Sequence, residues 1–479
     1  MAEGIPVDRV PNEILAEIFD YACDTNLLQE YPWSKDSFLP PTQILHPLHC
    51  LPAMSISSVS TSWRSVALSS PTIWSRISLE LSVESSQLPN VESLLSGFLL
   101  TVKLHLHRSD QCSLTLKLNL SGDAYTNILR RPLLAFDLVC DHSWNSFELI
   151  GAYDISSIPK PRFDPIRNCH SLKNLTFTIA YDIPEGLELF NQATGLCSLS
   201  LPMLSTIPTT FRNQISSLAV ETVDGWIGDV FSHTSSPKEL ELRERPDHHC
   251  NTLTSCVPPR LCPSVSTLKL ELHDCARTAD EIALVDAVFS SFTFPSLSCL
   301  VIMTEASYRW PYRGAWPRAT LESFLHRSSC RLTNFEVKGI PVTDVDLIAA
   351  LDLMPSLVYL NVDDTPSNDD PMSPITPLFI RSLHGFLRTE LNPSSSALVP
   401  KLRELRLTFN GLQFDDSAFI DMVSSRWFSD TQYASGVGLS CLRVVTLRFN
   451  VRAVDEVVYR PLDRLDKAGM MVVVLGKSD

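Results

Sequence analysis

A six-residue frame recurs along most of the chain: apolar, two variable residues, apolar, one variable residue, apolar. It occurs as Leu172/Leu175/Phe177, Leu196/Leu199/Leu201, Ile215/Leu218/Val220, Pro237/Leu240/Leu242, Val265/Leu268/Leu270, Leu297/Leu300/Ile302, Leu332/Phe335/Val337, Leu357/Leu360/Val362, Leu402/Leu405/Leu407 and Leu442/Val445/Leu447. Two earlier frames, Trp74/Ile77/Leu79 and Trp144/Phe147/Leu149, extend it toward the N-terminus. Alternation over the last positions is a strand signal, with both apolar side chains on one face. A short strand with one apolar face cannot bury that face alone, so each copy needs its neighbours. From Leu172 to Leu442 the starts lie 19 to 45 residues apart. That leaves room for the long crossover that parallel strands require.

Several intervening segments carry a helical pattern. Ala279 to Phe289 places Ile282, Leu284, Val285, Val288 and Phe289 on one face. Asp344 to Leu353 does the same with Val345, Leu347, Ile348 and Leu351, and Pro355 follows its end. A strand followed by a returning segment resembles the leucine-rich repeat. One copy fits that pattern fully, Leu402-x-x-Leu405-x-Leu407-x-x-Asn410-x-Leu412, and Asn450 repeats the asparagine position. The resemblance implies an irregular solenoid, or horseshoe, whose strand positions and loops bind other proteins. The sequence predicts a helix over Asp455 to Ala468, then a last buried strand or cap in Met470 to Leu475. Residues 363–377 combine acid and proline without apolar periodicity and read as a disordered loop, with Ser373-Pro374 and Thr376-Pro377 as candidate proline-directed phosphosites.

The N-terminal region has a different period. Pro11 suits a first helical turn, and Ile14, Leu15, Ile18, Phe19 and Ala22 recur at helical spacing while Glu13 and Glu17 take the other side. A second helix is expected over Met54 to Leu68, carrying Val59, Trp63, Val66 and Leu68, with Pro71 beyond its end. The run Val10-Pro11-x-Glu13-Ile14-Leu15-x-Glu17-Ile18-Phe19, then Val59-Ser60-x-x-Trp63-Arg64-x-Val66-Ala67 and Thr72-Ile73-Trp74, resembles the F-box of fungal F-box-like proteins. The resemblance spans residues 5–78, with 24–51 as a proline-rich loop insert longer than the usual connection. It implies docking on a Skp-type adaptor, and through it on a cullin scaffold, by Val10, Pro11, Ile14, Leu15, Ile18, Phe19, Val59, Trp63 and Leu68. It also implies that the chain is the substrate-recognition subunit of an SCF-type ubiquitin ligase. The expected organisation is therefore mixed α/β: a helical F-box-like domain over 1–78 and a degenerate leucine-rich-repeat domain over 79–479. The alternative is a leucine-rich-repeat interaction scaffold whose N-terminal helices serve only as a cap.

Charge and composition narrow the remaining classes. With 39 basic and 54 acidic residues the net charge is −15, which disfavours general affinity for nucleic acid or anionic membrane. No secretory signal or membrane-spanning run is read, so a cytoplasmic or nuclear protein is expected. The 13 cysteines are odd in number and widely spread, and read as reduced thiols, with Cys299 and Cys441 at apolar strand positions. His248, His249, Cys250, Cys256, Cys262, His273 and Cys275 include zinc-ligand types, as do His46, His49 and Cys50, but their spacing lacks the paired ligands of a zinc site. No phosphate loop, nucleophile elbow or His-Glu-x-x-His occurs, so neither an enzyme nor a cofactor is expected. One segment concentrates the residue types of binding hot spots: Arg309, Trp310, Tyr312, Arg313 and Trp316, read as contacts to an unidentified protein substrate.

Overall fold

The structure is a computed structural model describing residues 10–29, 51–82, 91–121, 134–151, 166–178, 187, 190–202, 207, 211, 213–222, 237–244, 258–273, 284–304, 316–364, 373–386, 397–412, 414–429 and 436–477. It divides into two compact units, Met1–Ile215 and Ser216–Asp479. The N-terminal helices belong with the strands that follow them in the first unit, and the division falls well beyond residue 78.

In the first unit six parallel strands lie in chain order: β1 (Asn26–Gln29), β2 (Arg76–Ser82), β3 (Leu114–Ser121), β4 (Trp144–Gly151), β5 (Asn174–Thr178) and β6 (Ser198–Leu201). The second frame position pairs with itself from rung to rung: Ile77 with Leu116, Leu116 with Phe147, Phe147 with Leu175, and Leu175 with Leu199. All five are buried. β3 supplies a rung without a full frame, because Ser113 stands where an apolar leader is expected. β1 corrects the reading of 24–51 as a loop. Asn26 pairs with Ile77 and so takes an inward position with a polar side chain. Its amide donates to the Ile73 and Arg76 carbonyls at 2.7 and 3.0 Å and accepts from the Ala53 amide at 3.2 Å. Those bonds satisfy a fully buried polar group that would otherwise be costly.

Four helices precede or flank β2: α1 (Asn12–Ala22), α2 (Pro52–Val59), α3 (Thr61–Leu68) and α4 (Thr72–Ser75). The single helix expected over Met54 to Leu68 is two. Ser60 is extended, and its side chain accepts from the Trp63 amide at 3.1 Å, starting a new helix. Leu15, Phe19, Cys23, Ala53, Val66, Ala67, Ile73 and Trp74 form one core. Trp74 donates its indole N–H to the Ala67 carbonyl at 2.8 Å, and Arg108 lies over its ring at 4.3 Å. His105 of α5 (Val91–Ser109) meets that ring edge-on at 5.2 Å. α6 (Leu134–Cys140) follows β3.

The second unit continues the same logic with nine parallel strands in one sheet: β7 (Ser217–Thr222), β8 (Glu239–Glu244), β10 (Thr267–Leu272), β12 (Cys299–Thr304), β13 (Asn334–Lys338), β14 (Tyr359–Asp364), β15 (Glu404–Phe409), β16 (Val444–Phe449) and β17 (Met471–Leu475). Two-residue strands β9 (Arg260–Leu261) and β11 (Phe292–Thr293) pair apart from them. Leu218, Leu240, Leu268, Leu300, Phe335, Leu360, Leu405, Val445 and Val472 form one in-register inward row. Return segments carry α7 (Leu284–Ser291), α8 (Arg318–Ser328), α9 (Asp344–Asp352), α10 (Pro377–Ser382), α11 (Asp416–Ser425) and α12 (Glu456–Lys467).

Three expectations change here. β17 is an edge strand whose Met471 and Leu475 stay exposed, so it is not a buried strand. Leu412, which completes the full repeat match, is 67% exposed. It follows Gly411 at φ +82°, where a Cβ would meet the Phe449 ring at 2.2 Å, so the chain turns out of the core there. Residues 363–377 are not all disordered: Asp363 and Asp364 end β14, Ile375 is buried, and Thr376 caps α10 by accepting from the Phe379 amide at 3.2 Å. Residues 365–372 lie outside the described residues.

Arg426, at the end of α11, is fully buried. Its guanidinium donates to the carbonyls of Leu383, Leu398 and Val399, the last at 3.1 Å, and thereby ties its own return segment to the return between β14 and β15. Burial pushes its pKa down to about 10. Arg426→Met leaves those buried carbonyls without donors, at about 1 to 3 kcal/mol each when unsatisfied. A loss of at least about 3 kcal/mol in denaturant unfolding is expected, and an unchanged midpoint would contradict this role.

His105 is also fully buried, with Nδ1 donating to the Thr101 carbonyl at 2.9 Å and Nε2 without a hydrogen-bond partner. Burial holds its pKa below the ordinary value, and Arg108 adds to the effect. The imidazole therefore stays neutral in the fold while the unfolded chain takes up a proton near pH 6.5. Its contribution is fully present above that pH and is lost as pH falls through and below it. The thermal midpoint should drop between pH 7.5 and 5.5, and His105→Phe should flatten that slope.

Candidate functional site

α1 carries two adjacent apolar stripes, and packing separates them. Leu15 and Phe19, 5% and 1% exposed, face the core, where Phe19 lies 5.0 Å from the half-buried Trp63. Ile14 and Ile18, at 47% and 49%, face solvent, and Tyr21 extends their line at 89%. Val59 at the end of α2 and Leu68 at the end of α3 are also exposed. Of the nine residues assigned to an adaptor, Pro11, Ile14, Ile18, Val59 and Leu68 are thus available to a partner. Leu15 and Phe19 are not, because a 3.6-residue period that points one stripe outward turns its neighbour inward. Val10 and Trp63 pack against the same core and are half-buried. Tyr21 was missed, although its spacing from Ile14 and Ile18 is that of one helical face.

This helical surface is fixed to the sheet by charge. Arg76, the first residue of β2, donates to both Asp20 carboxylate oxygens at 2.7 and 2.9 Å and to the Asp20 and Cys23 carbonyls at 2.7 and 3.1 Å. It therefore caps the C-terminal end of α1, where a cation is favoured. The Arg76 hydrogen bonds hold the Asp20 pKa below the usual carboxylate range. Burial pushes the neighbouring Cys23 thiol up to about 11, leaving it uncharged and unreactive near neutral pH.

The second unit presents two other surfaces. On the outward face of the sheet, charges pair along and between strands: Arg243 with Glu241 of its own strand at 2.6 Å and with Glu271 of β10 at 3.2 Å, and within single strands Lys338 with Glu336 at 2.6 Å and Arg406 with Glu404 at 2.7 Å. Arg406 also lies 5.6 Å over the Tyr359 ring. Between α8 and α9 there is a groove of about 300 Å³. Trp316 forms one wall, and the buried Leu321 and Ile348 are among its lining. Arg318 bridges its two helices through Asp346 at 3.2 Å.

Trp316 is the one member of the Trp/Tyr/Arg cluster within the described residues, and it lines this groove. Arg309, Trp310, Tyr312 and Arg313 lie outside them, as do His46, His49, Cys50, His248, His249, Cys250, Cys256 and Cys275. Cys262 and His273 are buried. Among the described residues no three or more His, Cys, Asp or Glu side chains are grouped to hold a metal ion. The described cysteines are free. No described helix is long and apolar enough to cross a membrane.

Comparison with known proteins assigns no family. No family model matches the chain. No curated protein matches it either. A structural-genomics crystal structure of a Bacteroides fragilis protein is similar over 82% of this chain and 85% of its own, at 10% identity. Its TM-score of 0.29 is too low to carry an argument about fold or function.

The separation of the two α1 stripes is measurable. Leu15→Ala should cost about 2 to 5 kcal/mol through lost burial and a cavity. Ile14→Ala should stay within about 0.5 kcal/mol of the parent, as exposed substitutions do. Equal costs in urea unfolding would contradict the assignment.

Proposed function

We propose that this chain is the substrate-recognition subunit of an SCF-type cullin-RING ubiquitin ligase. Its N-terminal helices bind a Skp-type adaptor, and its repeats hold a target protein. The observation that carries the reading is the line Ile14, Ile18 and Tyr21, which leaves large apolar side chains in solvent beside a fully packed core. Exposed apolar surface of this kind marks an interaction site. The resemblance of Val10 to Phe19 and Val59 to Trp74 to the F-box supplies the partner's identity. Such a subunit performs no bond chemistry; it raises the effective concentration of target near the ubiquitin-loaded enzyme.

The bond set of Arg76 supports a second reading, a repeat scaffold in which α1 only caps the first rungs, because a cap needs that attachment to the sheet. A cap does not need Ile14 and Ile18 in solvent. Ile14→Arg with Ile18→Arg should abolish co-purification of adaptor and cullin while leaving the thermal midpoint within about 2 °C, the size expected of surface changes. If the parent chain captures neither adaptor nor cullin, the scaffold reading stands instead.

A further inference from the structure

We infer that β17 is a homodimer interface: two copies of this chain join antiparallel through their β17 edges, with the two-fold axis at Val473. The inference does not rest on the receptor reading. Among the described strands β17 ends the ladder, and its apolar side chains lie open on both faces of the sheet. One rung earlier Val445 and Leu447 are fully buried, whereas Val472 and Val474, at the same register positions, are only half-buried. On the other face the paired charges of the inner rungs give way to Met471, Val473 and Leu475, with Met471 59% and Leu475 42% exposed. The backbone is open as well. Met471 donates its amide to the Arg443 carbonyl at 2.8 Å, on the β16 side, and successive residues of a parallel ladder alternate in direction. The N–H and C=O groups of Val472 and Val474 therefore point to the free edge. Accordingly the Val472 amide meets the Asp466 carboxylate, at 3.3 Å, instead of β16.

The strand itself specifies the occupant. Met471-Val472-Val473-Val474-Leu475 is apolar throughout and close to symmetric about its centre. A two-fold axis at Val473 sets Val472 opposite Val474 of the other copy, and antiparallel residues so placed exchange both N–H···O bonds. It also sets Met471 opposite Leu475 and Val473 opposite itself. Every side chain then meets an apolar one, which is the self-complementarity that an isologous interface requires. Lys477 falls opposite Gly469, beside the turn that carries Asp466, so the carboxylate displaced from Val472 finds an ammonium. The other end of the ladder fits β17 less well, because Asn26 and Gln29 of β1 are polar and already bonded within the chain. A contact of β17 with β1 would also build an open filament, whereas β17 on β17 closes as a pair.

Sedimentation velocity of the purified full chain should show a monomer–dimer equilibrium at or below about 100 μM, a range that resolves micromolar dissociation constants. Val473→Lys, which sets like charges opposite each other at the axis, should weaken association at least about tenfold. Val474→Pro removes an amide that faces the free edge, where proline is tolerated, and should have the same effect. It gives a second readout if Val473→Lys lowers the thermal midpoint. Under mild oxidation Val473→Cys should cross-link to its counterpart above the background of the parent chain. Residues directly opposite at a non-hydrogen-bonded antiparallel position lie about 4.5 Å apart at Cα, within disulfide reach. Leu475→Cys, which lies opposite Met471 and not opposite itself, should stay at that background. A monomer throughout the range, a dimer unchanged in both Val473→Lys and Val474→Pro, or equal cross-linking of Val473→Cys and Leu475→Cys would overturn the inference.

Discussion

The structure depends on a parallel ladder kept in one register. Within each unit every strand places its second frame residue opposite that of the next, so Ile77, Leu116, Phe147, Leu175 and Leu199 form one row and Leu218 to Val472 another. A slip of one residue would turn a strand's apolar side chains outward and its charges inward, which fixes the register strongly. Because the row depends only on the frame, the return segments are free to vary. Loop closure grows slowly with length, so spacings from 19 to 45 residues are compatible with one ladder. Several of the returns carry helices, and Arg426, at the end of α11, bonds three carbonyls of the preceding return directly.

Much of this ladder was legible because alternation of apolar residues shows within a few positions, whichever apolar residue fills each one. The rungs that escaped show where the signal fails. β3 is hidden because Ser113 replaces the leading apolar residue, although Leu114, Leu116, Leu118 and Leu120 alternate plainly after it. β1 is hidden for a deeper reason: Asn26 occupies an inward position and earns it through hydrogen bonds to residues about 27 to 50 positions away. Those partners cannot be read from a local window. The break at Ser60 is a similar case, since a serine inside an apolar period is as compatible with one helix as with a cap between two.

The candidate helical site was legible in its residue types but not in its orientation. Ile14 and Leu15 are adjacent and equally apolar, as are Ile18 and Phe19, so periodicity gives one broad stripe. Only the partners decide which half is core: Trp63 and Trp74 come from elements 40 residues or more downstream and claim Leu15 and Phe19. Arg76 then fixes the outcome by bonding the last turn of α1 to β2, setting the rotation of the helix as well as its position. The outward direction of Ile14 and Ile18 thus follows from the packing of Leu15 and Phe19 together with the Arg76 bonds at the end of the helix.

The charges on the sheet face of the second unit are already paired. On the sheet face Arg243, Lys338 and Arg406 each engage a glutamate on the same or the next strand, within hydrogen-bond distance. A partner laid across that face must exchange existing ion pairs for new ones, and surface pairs return little in such an exchange. The face therefore discriminates by register and shape more than by net charge.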